Sequence, residues 1–173
     1  MFKRHAGFDV VTYKGNGVAG HQIPHSMNAV PEMIWVKGRQ TFANGNGRDW
    51  VIGHKGLNGG TNPWTKYIVL NENDAEVDNI NRWNDTAPTS THFTLGTADE
   101  VNDDTYNFIA LLFRSIPGVS KVGHFVGDAN TTQTITVGFQ PRFLFIKGST
   151  YTDDWYVLDT TRGWGAGDDK YLR

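Results

Sequence analysis

The sequence predicts an all-β protein: an antiparallel β-sandwich, jelly-roll-like, built from an internal repeat whose second copy is incomplete. Three observations carry this. Short apolar runs rich in β-branched and aromatic residues recur along the chain, each too short for a stable helix. Clusters of Gly, Asn and Asp separate them, with 20 Gly and 6 Pro in 173 residues. Such residues tolerate the backbone angles of tight turns. Finally, one stretch occurs twice. Pro31-Glu32-Met33-Ile34-Trp35-Val36-Lys37-Gly38 returns 110 positions later as Pro141-Arg142-Phe143-Leu144-Phe145-Ile146-Lys147-Gly148.

Within that octet four apolar residues stand between a Pro and a Lys-Gly pair. Side chains alternate across a strand, so Met33 and Trp35 share one face and Ile34 and Val36 the other. Both faces are apolar, which places the strand in mid-sheet with cover on both sides. Further matches follow in the same order. Tyr13 pairs with Phe125, Gly15 with Gly127, Ile23 with Ile135, Asp49-Trp50 with Asp154-Trp155, and Lys66-Tyr67 with Lys170-Tyr171. Their offsets change only across Gly- and Asn-rich loops, as insertions between repeats would require. The domains are then a lead-in at 1–7, a complete repeat at 8–118 and a partial one at 119–173.

The remaining elements follow from pattern. Residues 8–13 alternate as a strand and end at the Gly15-Asn16-Gly17 turn. A short strand surrounds Ile23. Residues 33–37 and 50–54 form a hairpin with a long loop tip at 41–48, and 67–70 is another strand. Residues 71–76 have the composition of one helical turn at most, because Asn and Asp compete with helix. Trp83 pins a polar loop, 92–95 is a short strand, and 99–104 is an acidic turn. Residues 106–113 are the most apolar segment and read as a second core strand. In the second copy, strands are expected around Phe125, Ile135, Phe145 and Trp155. Nothing there corresponds to 71–118, so the half-repeat needs cover for its apolar face and its open ladder edges. That need predicts self-association, with the second half-repeat at the contact.

Composition narrows the function. The net charge of −2 and pI near 6.3 argue against nucleic acid or an anionic membrane as partner. No run has the length of a membrane span, and residues 1–8 do not read as a signal peptide. Cysteine is absent, which removes disulfides and thiolate metal sites. No cofactor is called for.

The sequence resembles a family of uncharacterised repeat domains in tail-fibre and other virion-associated proteins of marine bacteriophages. The likeness rests on residues 7–17, 31–37, 54–58, 83–89, 93–96 and 159–165, among them Trp83-Asn84-Asp85-Thr86-Ala87-Pro88 and Asp159-Thr160-Thr161-Arg162-Gly163-Trp164. Against that family the chain looks like a truncated member. The resemblance implies a virion appendage, a structural or host-adhesion role, and a homo-oligomer, as trimers are common among phage fibres. It carries no catalytic residues.

Candidate sites are few. A glycoside hydrolase fibre domain is the alternative function, and it needs two carboxyl groups facing each other across a cleft. The chain holds four Glu, and Glu32 becomes Arg142 in the copy. His21 and His25 have helical ligand spacing but lie on a strand with Pro24 between them. Asp99, Asp103 and Asp104 could gather oxygen ligands for Ca²⁺, but they lack the spacing and central Gly of an EF-hand loop. Nucleophile motifs are missing. Of the six Trp, Trp35, Trp50 and Trp155 lie on repeated strands and read as core. Trp64, Trp83 and Trp164 sit in polar loops, where an aromatic face could stack on a sugar while Asn62 and Asp85 bond its hydroxyls. These five residues are the candidate glycan contacts, with host cell-surface polysaccharide as ligand. A cellular carbohydrate-binding domain unrelated to phage is a third reading.

Overall fold

A computed structural model describes residues 7–41, 47–163 and 171–172. The lead-in up to residue 6, the loop tip at 42–46 and Trp164 lie outside them. Strands dominate, and every ladder is antiparallel, as the all-β reading requires.

The main sheet has six strands: β1 (Phe8–Lys14), β3 (Met33–Gly38), β4 (Trp50–His54), β5 (Lys66–Val69), β6 (Val77–Asp78) and β8 (Asn107–Phe113). Their order is β1-β8-β3-β4-β5-β6, so β3 and β8 are both central. β8 pairs with β1 on one edge and β3 on the other, opposing Ala110 to both Val11 and Val36. One face of this sheet carries Ile34, Val36, Val51, Phe108, Ala110 and Leu112, all fully buried. A two-stranded ribbon, β2 (His21–Pro24) with β7 (His92–Leu95), supplies Ile23, Phe93 and Leu95 to the same cluster. Trp64 and Trp83 complete it.

The opposite face presents Met33, Trp35 and Ile52. It meets a three-stranded sheet ordered β11-β10-β9, made of β9 (Phe143–Lys147), β10 (Trp155–Asp159) and β11 (Tyr171–Leu172). Trp35 lies 5.6 Å from Phe145, which stacks on Trp155 at 4.5 Å, and Trp155 Nε1 donates to Val69 O at 3.0 Å. Backbone bonds tie the edges, Glu76 N to Ser149 O and Asp153 N to Asn73 O. The register matches that of the first hairpin. Lys37 opposes Trp50 as Lys147 opposes Trp155, and Trp35 opposes Ile52 as Phe145 opposes Val157. The third strand keeps step, with Ile52 opposite Ile68 and Val157 opposite Leu172. Met33, Trp35, Phe145 and Trp155 are only partly buried, whereas Ile34, Val36 and Phe108 reach the core as expected.

Three expectations are corrected. Residues 121–142 contain no strand, although strands were expected around Phe125 and Ile135. Their counterparts β1 and β2 find ladders on β8 and β7, and among the described residues the second half supplies neither partner. The helical turn falls at α1 (Ile80–Trp83), not at 71–76, because Asn79 caps it by accepting from Asn81 N at 2.9 Å. The acidic turn is itself a single helical turn, α2 (Asp99–Asn102).

Gly53 in β4 shows how tightly the core closes. A Cβ there would stand 2.4 Å from the Trp64 ring and 2.9 Å from that of Trp83. Gly53→Ala is therefore expected to cost about 1–3 kcal/mol by overpacking, read by urea unfolding. Unchanged stability would mean that the two indoles do not press on this strand.

Candidate functional site

Two of the glycan-contact candidates belong to the core. Trp64 is 7 % exposed and Trp83 1 %, and they pack edge to face at 5.6 Å. Neither ring offers a face to a sugar, so stacking on them is corrected to loop plugging. Asn62 and Asp85 are exposed, both in the left-handed region (φ 46° and 48°), where Asn and Asp are tolerated in turns. Asn62 O accepts from Thr65 N and Thr65 Oγ1, closing the turn that aims Trp64 inward. Trp164 lies outside the described residues. The sequence did hold a signal for the burial: a Gly within a strand marks close approach by another group, and Gly53 faces both indoles.

The acidic turn is organised around a buried cation. Arg48 donates to Asp99 O and pairs with Asp103 Oδ2 at 2.5 Å, and its guanidinium stacks 4.4 Å from the Tyr106 ring. Asp103 is thus engaged by a guanidinium where Ca²⁺ ligation would need it, and among the described residues no three His, Asp or Glu converge. Beside it Asn102, fully buried, donates to Gly96 O and Val18 O and accepts from Asn16 N. Its Oδ1 also meets His21 Nδ1 at 2.8 Å. His21 and His25 therefore serve different networks.

A shallow recess of about 310 Å³ is lined in part by Asp9, Pro24, His25 and Ser26. Ser, His and Asp side by side invite comparison with a hydrolytic relay. The bonds run otherwise. Ser26 Oγ donates directly to Asp9 Oδ2 at 2.9 Å, and Ser26 N reaches the same oxygen at 2.8 Å. His25 Nδ1 accepts from Met27 N while Nε2 donates to Thr89 O. Both imidazole nitrogens are committed to backbone, so His25 has no lone pair left for the serine. Burial also lowers the His25 pKa, partly offset by the Thr89 bond.

A charged cluster sits where β3, β4 and the 114–124 segment meet, by a second recess of about 330 Å³ lined by Glu32, Lys55, Arg114 and Ser115 among others. Glu32 accepts from Lys55 Nζ and from Ser115 N, each at 2.5 Å. Burial pushes its carboxyl up, but those hydrogen bonds outweigh it and hold it below its ordinary value. A glycosidase acid needs the opposite shift. Glu100 is tied to Arg82 at 2.8 Å and Glu76 accepts from Asn58 N. Next to Glu32, His54 Nδ1 accepts from Gly56 N at 2.9 Å, and the His124 ring lies against Gly56 and Gly60. Burial, with Lys55 and His124 nearby, lowers His54 from 6.5 to about 4. Sequence reasoning missed this cluster because its members lie on segments far apart in the chain.

These observations describe an antiparallel β protein whose polar side chains are mostly joined to each other or to backbone. The chain belongs to the domain family of unknown function DUF7483, whose model matches residues 2–170. No curated protein and no solved structure matches it.

His54 sets a pH dependence. In the fold it stays neutral down to about pH 4, whereas unfolded it protonates near 6.5. Between these values the unfolded state binds more protons, so stability rises with pH. The His54 contribution is fully present above pH 6.5 and is lost as pH falls toward 4, by up to about 3 kcal/mol. His54→Gln removes this contribution, so the wild-type-minus-variant stability difference should fall by up to about 3 kcal/mol as pH drops from 6.5 to 4 in urea titrations. Parallel curves from pH 7 to 4 would contradict the assignment.

Proposed function

We propose that this chain is a non-enzymatic structural and adhesion module of a virion appendage, a phage tail fibre or its equivalent, that assembles as a homo-oligomer. The observation that carries the non-enzymatic part is the engagement of the acid and base candidates at the two recesses. Glu32 is held by Lys55 and Ser115, and His25 is bonded at both ring nitrogens to backbone. A catalytic acid needs a raised carboxyl pKa and a general base needs a free lone pair. The resemblance of residues 7–17, 31–37 and 83–89 to fibre repeat domains supports the location. Contact with host polysaccharide, on this reading, uses exposed loop ends such as Asn62 and Asp85, with Trp64 and Trp83 stiffening the loops from below.

On this reading a phage encodes the chain, and immunogold labelling of virions that carry its gene tests the location. Label on an appendage is expected, and label confined to infected-cell debris would overturn the reading. Incubating the purified chain with host capsule polysaccharide tests the chemistry. Binding without release of reducing ends is expected, and steady release of reducing sugar would overturn the non-enzymatic assignment.

A further inference from the structure

The two halves of the chain share sequence matches that only one half turns into structure. Tyr13 lies in β1 and stacks on Phe108 of β8 at 5.2 Å, whereas its counterpart Phe125 is 49 % exposed on irregular backbone. Ile23 lies in β2, opposite Phe93 of β7, and is 2 % exposed; its counterpart Ile135 is 49 % exposed. β3 is bonded on both edges, by β8 and β4. Its counterpart β9 is bonded only by β10 among the described residues. Ile34 and Val36 are fully buried under the β2–β7 ribbon, while Leu144 and Ile146 are only partly covered.

Four features of the second half thus lack the same thing. In the first half β7 and β8 fulfil all four roles. We propose that residues 119–163 form an acceptor for a polypeptide segment of the β7–β8 type, supplied from outside residues 1–173. The chain's own β8 cannot serve, because β1 and β3 occupy both its edges.

The first half fixes the chemistry of the donor. Its main strand runs antiparallel to β9 and carries bulky apolar, small apolar and bulky apolar residues at alternate positions, as Phe108, Ala110 and Leu112 do. By the register of β8 on β3, the Leu position falls opposite Leu144, the Ala position opposite Ile146 and the Phe position opposite Gly148. The donor's other edge then templates residues 120–126 as a strand, and a short companion strand pairs around Ile135. This is β-strand addition, with main-chain bonds giving affinity and alternate side chains giving specificity. The inference is independent of any role in a virion.

A synthetic peptide of residues 89–116 serves as donor, titrated onto the full chain labelled with ¹⁵N. One peptide per chain is expected, with the amide signals of Phe125 and Ile135 moving to strand positions and those of β9 shifting as its free edge is paired. Ile146→Lys should weaken binding at least tenfold while leaving the signals of residues 8–113 in place; Leu144→Lys is the second variant should the first misfold. Absence of binding would overturn the proposal. So would signal changes confined to β1 and β3, or wild-type affinity in both variants. Light scattering that shows a dimer without peptide, with the same amides in strand positions, would also overturn it and make a second copy the occupant.

Discussion

The fold depends on β8 being hydrogen-bonded along both edges. Buried backbone amides and carbonyls must be paired, and β8 is the strand through which β1 and β3 satisfy theirs on the same side of the hairpin. Its alternate residues Phe108, Ala110 and Leu112 fill the main cluster. Phe113, on the other face, lies 5.0 Å from Trp35. One strand therefore closes the sheet and feeds both cores.

Around it, polar groups lock the loops. Arg48 reaches across from the β3–β4 loop to Asp103 and the carbonyl of Asp99, stacked on Tyr106 just ahead of β8. Asn102 holds the turn after β1 with donors and acceptors on both sides. A buried guanidinium or amide costs several kcal/mol if a partner is lost. These networks therefore make the loop geometry specific as well as stable. The same accounting explains the second sheet: Trp35, Phe145 and Trp155 form its contact with the first, and its outward face stays half-covered.

Much of this was legible in the sequence. The apolar octet at 31–38 announced a central strand, and its copy at 141–148 announced a strand with the same hairpin register, although among the described residues β9 lies at the edge of its sheet. The segment at 106–113 read correctly as core because it is apolar on both faces. What escaped was non-local. Trp64 and Trp83 look alike in sequence to surface loop aromatics, and only the Gly53 gap opposite them shows that they point inward. Matching residues predict strands at Phe125 and Ile135, but a strand is a property of a pair, and among the described residues the second half holds no partner for these two. The Glu32–Lys55–His54–His124 cluster was invisible because it is assembled from distant segments.

In this chain a matching segment becomes a strand only where its ladder partner is present. Residue-resolved amide hydrogen exchange on the free chain reads this dependence strand by strand. Strong protection is expected at the amides of residues 8–14 that bond to β8, and exchange near the intrinsic rate at residues 123–126, beyond the hydrogen-bonded Ser120 and Val122. Comparable protection in the two segments would contradict it.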